Sequence, residues 1–148
     1  MRNLLLLLHL AGAIFWLGGM AFVAIALRPA LHAQLQPPQR LPLAVQVLRR
    51  FFVLVLVSIA LLLASGVPLL LQVPGRQAPP GWHAMAGLGI VMVLIFGHLF
   101  FAPWRRLQRA VAAQDWPEGG RRMNQIGRLV QVNLALGWIA IAAVLLWR

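Results

Sequence analysis

The fold is decided by the stretch LLLLLHLAGAIFWLGGMAFVAIAL, Leu4 to Leu27, in which His9 is the sole ionisable residue. A membrane-spanning helix needs about 20 predominantly apolar residues, and this run has 24. It is longer than the roughly 7–15 apolar residues of a cleavable signal peptide, so we expect a retained helix. An ionisable residue inside such a run is costly to place in lipid and is a candidate functional residue.

Three more apolar runs predict that the whole chain is a membrane domain. Of its 148 residues 61% are hydrophobic, against about 45–50% in soluble domains. The four predicted spans are residues 4–27, 51–73, 82–102 and 129–146. Helices satisfy their own backbone amides in lipid, and short connections favour antiparallel neighbours. We therefore predict one all-α domain over 1–148, an integral membrane antiparallel four-helix bundle in contact with the bilayer.

Prolines and polar residues predict where the spans are separated. Pro37, Pro38 and Pro42 predict a break between the first two spans, because proline disrupts a helix interior. The segment PGRQAPPG, residues 74–81, is typical of a tight turn. A polar connection is expected from Pro103 to Arg128.

The charges predict an orientation and exclude several functions. All 13 basic residues are arginines, which concentrate in the first and third connections. The positive-inside rule then places both termini on the periplasmic side of a bacterial inner membrane. Because the arginines flank apolar runs, nucleic-acid binding is not expected. Without cysteine there is no thiolate chemistry, and the two acids, Asp115 and Glu118, lie outside the spans, where they provide no carboxylate proton relay.

One stripe of the first helix is predicted to face the bundle. His9 and Trp16 are seven residues apart and therefore share a helix face. Gly12 and Met20 lie close to the same stripe. Trp82, Trp104 and Trp147 fall at predicted span ends, where indole rings favour the membrane boundary.

The histidines are the candidate ligands. His9 and His83 are predicted at comparable depths near the outer face, where two imidazoles could ligate a b-type heme or form half of a copper site. His98 lies in the inner half as a third metal-ligand candidate, or as a packing partner of Asn133. His32 follows Pro29 and could meet His98 only if the first helix continues past that proline. In the alternative interpretation these histidines only pack or reach headgroups.

Particular motifs resemble a known family. The segment HLAGAIFWLGGMAFVAIALRPAL resembles the first helix of the copper-resistance CopD family, RRFFVLVLVSIALLLASG its next helix, and GRLVQVNLALGWIAI its last. His9, Trp16 and the start WHAM of the third helix also resemble the related HemJ-type four-helix protoporphyrinogen oxidases. In that second pattern a lysine follows soon after the histidine, where this chain has Met85.

The resemblance implies copper handling at the inner membrane. We expect a redox centre, either b-type heme or copper, on His9 and His83, with Trp16 beside it and Arg28 at the cytoplasmic boundary. Arg76 or Arg2 would meet the propionates of a heme. A periplasmic copper protein or redox partner could dock at the outer turn. Alternatives are porphyrinogen oxidation, quinone-linked electron transfer, and a cofactor-free accessory subunit; the sequence leaves open both catalysis and the oligomeric state.

Overall fold

A computed structural model describes residues 1–73 and 78–147, and every regular element in them is helical. The elements follow in the order α1 (Arg2–Ala21), a π-helical segment (Phe22–Leu27), α2 (Arg28–Gln34), α3 (Pro37–Leu71), α4 (Pro80–Phe101), α5 (Pro103–Ala112) and α6 (Trp116–Leu146). By length and composition four helical stretches can cross a membrane: Arg2–Gln34, Pro37–Leu71, Pro80–Ala112 and Trp116–Leu146. The predicted all-α, four-span membrane fold is confirmed.

Neighbouring helices run antiparallel. On α1, Gly12 faces Ser58 and the later Gly19 faces the earlier Phe51, so α1 and α3 point in opposite directions. At one end of α4, Gly81 meets the end of α6 near Ala143. Further along, α4 receives a hydrogen bond from α6 at a residue earlier in that helix. The bundle therefore has the predicted up-and-down arrangement.

The predicted break at the first prolines is wrong in detail, because those prolines begin a helix. Pro37 and Pro38 occupy the first turn of α3, where an N–H would have no intrahelical partner. Pro42 lies inside α3 only about one turn further, so the helix loses a backbone bond near its end rather than in its middle. The separation falls instead at Leu35 and Gln36, both extended, and for Gln36 this is expected because it precedes Pro37. The second span thus starts 14 residues before the expected Phe51.

The polar connection after Pro103 is also helical. It contains α5 and the first turns of α6, separated by a short turn in which Gln114 has a positive φ of 56°. Asp115 caps α6 by accepting the N–H of Glu118 at 3.1 Å, which satisfies a donor that the helix itself cannot. Glu118 also pairs with Arg121 and Arg122 at 2.9 and 2.6 Å. Capping and local ion pairs explain why these polar residues extend the bundle as helix.

The stripe predicted on α1 faces the bundle. The buried residues of α1 are Gly12, Trp16 and Met20. The Trp16 ring stands edge-on to Phe96 of α4, with centroids 6.5 Å apart. Phe52 of α3 meets the same Phe96 at 5.6 Å. Aromatic edges from three helices therefore form the centre of the core.

Trp104 corrects the prediction that it marks a membrane boundary. Only 4% of its surface is exposed, and its ring stands edge-on to Phe52 at 4.9 Å. The irregular backbone at Ala102 separates α4 from α5, which packs along the first part of α6 and places Trp104 in the core. By contrast, Trp147 has 59% of its surface exposed.

The first helix continues past Pro29 through the π-helical segment. In that segment the N–H of Arg28 reaches back to the carbonyl of Val23, one residue further than in an α-helix. A wider turn of this kind is a common way to accommodate a local irregularity in a long helix. The helix then runs on to Gln34. His32 is consequently on the same helical stretch as His9, and its side chain is exposed.

Candidate functional site

His9 packs against two small residues of α3, Ser65 and Gly66. Its ring is half-buried, and Nδ1 lies 3.2 Å from the hydroxyl oxygen of Ser65. The neighbouring Gly66 makes room for the ring, because a Cβ at that position would lie 2.9 Å from His9 Cε1. A serine and a glycine thus hold the imidazole against the second span.

The hydroxyl of Ser65 engages the Nδ1 side of the His9 ring. That hydroxyl has one hydrogen, and the Leu61 carbonyl lies 2.5 Å away on the preceding turn as its acceptor. The contact with His9 is then satisfied when Nδ1–H donates to the serine oxygen. A neutral histidine protonated on Nδ1 has its lone pair on Nε2, the form that ligates a metal. A hydrogen bond at one ring nitrogen is also the usual way in which proteins orient a ligating histidine.

A second serine on α3 provides an internal comparison. Ser58 lies seven residues before Ser65, about two turns away on the same face, and both side chains are 1% exposed. Ser58 donates to the carbonyl of Leu54 on its own helix at 2.9 Å. Its backbone carbonyl lies against Gly12 of α1. Of these two serines, the one bonded to a histidine is Ser65.

His83 lies in the first turn of α4 with an exposed side chain. This turn is fixed against the end of α6, since Gly81 N–H donates to the Trp147 carbonyl at 3.1 Å. A Cβ at Gly81 would lie 2.2 Å from the Ala143 carbonyl oxygen. The contact described for His9 is with α3, and the expected pairing of His9 with His83 stays a prediction.

His98 and Asn133 do not form the contact considered for them. Asn133 is 3% exposed and donates from Nδ2 to the carbonyl of Met92 at 3.0 Å, while its Oδ1 has no hydrogen-bond partner. His98 lies about two turns further along α4, with an exposed side chain. Asn133 therefore links α6 to α4 by a hydrogen bond, but the acceptor is the backbone carbonyl of Met92 and not His98.

The donor set limits what this chain can hold. Within residues 1–73 and 78–147, no group of three or more His, Asp or Glu side chains is arranged to hold a metal ion, and the chain has no cysteine. A bare copper ion at His9 would therefore need ligands beyond one or two imidazoles. A heme iron needs only axial ligands from the protein, because the porphyrin supplies four nitrogens. His9 fits either as a single nitrogen donor.

Arg28 makes an unexpected contact at the opposite end of the bundle. Its guanidinium lies on Gly127 of α6, where a Cβ would overlap it, and Nη2 donates to Asn124 Oδ1 at 3.1 Å. Its Nε is buried without a hydrogen-bond partner. The sequence predicts Arg28 only at a membrane boundary. The signal for this further contact was Gly127, a position on α6 without a side chain. Arg2 is exposed at the start of α1, and Arg76 lies outside the described residues.

A sequence model of the family described as copper resistance protein D, CopD, matches residues 45–147. The chain belongs to the CopD family. The matched part runs from α3 to α6 and includes His83 and His98, whereas His9 and Trp16 precede it. Searches of curated proteins and of solved structures gave no significant match.

Proposed function

We propose that this CopD-family membrane protein holds a redox-active metal centre through His9 and His83, with Trp16 packed nearby. The observation that carries the proposal is the contact between His9 Nδ1 and the Ser65 hydroxyl, which would orient the ring and keep the lone pair of Nε2 available as a ligand. Family membership favours a role in copper homeostasis. The centre is either copper or a b-type heme, and it would supply one-electron transfer across the outer part of the bundle.

The proposed setting is a bacterial inner membrane with both termini in the periplasm. The arginines of α2, α5 and the early part of α6 lie at the end of the bundle opposite His9. By the positive-inside rule that end is cytoplasmic. His9 and His83 would then lie near the periplasmic face, where a copper protein or redox partner could reach them.

An accessory subunit without a cofactor is the second candidate. The His9–Ser65 bond joins α1 to α3 and would serve helix packing without any metal, since such bonds are worth about 1 kcal/mol in membranes. Porphyrinogen oxidation or quinone-linked electron transfer has less support, because the chain has no lysine and both of its acids are engaged at the start of α6.

The deciding experiment compares wild type with His9→Ala and His83→Ala. Each protein is produced with ample heme and copper, purified, and examined by metal analysis and a reduced-minus-oxidised visible spectrum. We expect a bound metal or a b-type spectrum in wild type that is lost in both variants. A wild-type protein that contains neither metal nor heme would refute the proposal. A variant that keeps the bound centre would show that its replaced histidine is not a ligand.

A further inference from the structure

A cleft of about 470 Å³ lies between α1 and α3 on the outside of the bundle. It extends from Ile14 on α1 to Val23 in the π-helical segment, and on α3 from Val47 to Leu54. It is separate from His9 and from the contacts that hold that ring, because none of those residues lines it. Its walls are apolar apart from one side chain, Arg50.

Two adjacent glycines create the cleft. Gly18 is exposed, and a Cβ built there would meet nothing within 4 Å, so this position opens onto empty space. Gly19 faces inward, where a Cβ would lie 2.4 Å from the Phe51 ring. Phe51 is 9% exposed and therefore forms a fixed floor. Packing of the Phe51 ring against Gly19 sets the depth of the cleft between the two helices.

The length of the cleft matches one leaflet of a bilayer. The nine-residue step from Ile14 to Val23 corresponds to about 14 Å along a helix. Half of a typical hydrocarbon core is about 15 Å. An acyl chain lying along the cleft would therefore run from its headgroup region to the membrane centre.

Arg50, at one end of the cleft, has no acidic partner among the described residues. Arg50 is exposed and lies next to Phe51 on the side of Val47, which places it toward the Phe22 end. The chain has two acidic side chains. Glu118 is paired with arginines of α6, and Asp115 caps that helix. A phosphate group would neutralise Arg50, which can extend along the apolar wall to reach it.

We propose that this cleft binds one anionic phospholipid, with an acyl chain between Gly18 and Leu54 and the phosphate on Arg50. The inference is independent of any centre at His9, because the two sites share no residue. A juxtamembrane arginine contributes about fivefold to the affinity for anionic lipid. The cleft adds a defined path for the acyl chain of the lipid, which distinguishes Arg50 from the other exposed arginines.

The test is native mass spectrometry of the purified protein with phosphatidylglycerol and with phosphatidylcholine of identical acyl chains. Wild type should bind the anionic lipid about fivefold more tightly. Arg50→Gln should bring that ratio to about one, and Gly18→Leu should weaken both lipids by filling the cleft. Two controls should behave as wild type: Arg49→Gln, which changes a neighbouring exposed arginine outside the cleft, and Gly87→Leu, which adds the same side chain at another open position.

Several results would overturn the proposal. Equal binding of both lipids by wild type would rule out the phosphate contact with Arg50. Unchanged binding in Gly18→Leu would rule out the cleft as the lipid site. A wild-type dimer that Gly18→Leu dissociates would assign the cleft to a second copy of the chain. An isoprenoid quinone carried through purification and lost in Gly18→Leu would assign it to that ligand.

Discussion

At the scale of single residues, one hydroxyl 56 positions away in the sequence orients His9. The Ser65 hydroxyl contacts both the carbonyl of Leu61 and Nδ1 of the imidazole. Such second contacts set both the direction and the tautomer of a ligating histidine. The proposed role of His9 as a ligand therefore depends on Ser65 as well as on the histidine itself.

Replacing Ser65 with alanine tests this dependence. Ser65→Ala should weaken binding of copper or heme about 10-fold to 100-fold, the usual effect of losing such a contact. The measurement is a titration of purified apoprotein with each ligand. Ser58→Ala is the matched control, because Ser58 is equally buried but donates within its own helix. Equal losses in the two variants would mean that the serines act only through packing.

The burial of a residue could be predicted from the sequence where helix periodicity alone determines which way its side chain points. The burial of Trp16 and Met20 followed from their spacing on α1. The contact of His9 with Ser65 depends on how far α1 slides along α3, which a single sequence does not encode locally. The contact of Arg28 with Gly127 depends further on the π-helical segment, which shifts the helix register just before Arg28.

At the scale of elements, the apolar cores of the spans were predictable but their ends were not. Hydropathy reports the part of a helix that lies in lipid, so the segments beyond it were expected to be loops. In the structure α3 extends back to Pro37 and α6 back to Trp116. Both extensions start with proline in the first turn, and α6 has an aspartate cap. Both starting signals are present in the sequence. The prolines of α3 predict a break when helix interiors alone are considered, and the start of α6 lies within a stretch that its polarity marks as a connection.

The close approach of α4 and α6 gives a prediction at this scale. Gly81→Ala places a Cβ 2.2 Å from a backbone oxygen of α6, which cannot rotate away as a side chain can. We expect the free energy of unfolding to fall by about 1–3 kcal/mol, as for other overpacked sites. Thermal unfolding in detergent measures the change. Gly87→Ala, on the same helix and with open space around it, should be neutral or slightly stabilising; a Gly81→Ala variant as stable as Gly87→Ala would contradict the described packing.

At the scale of the whole molecule, the distribution of charge predicts how the bundle sits in a membrane. Alkaline phosphatase is active only when exported, and fusions of it to either terminus should therefore be active in a bacterial host. A fusion inserted at Ala113, in the turn between α5 and α6, should be inactive because that turn is surrounded by arginines. The reverse pattern would place His9 near the cytoplasm and remove the access route proposed for periplasmic partners.

Chemical rescue of His9 tests the central claim most directly. His9→Gly removes the imidazole and leaves a gap beside Gly66 and Ser65 that free imidazole can enter. If His9 is a ligand, the variant should lose its copper or heme and regain it when imidazole is added, as followed by metal analysis and visible absorption. Full retention of the centre by His9→Gly without imidazole would contradict the claim and leave His9 as a packing residue between α1 and α3.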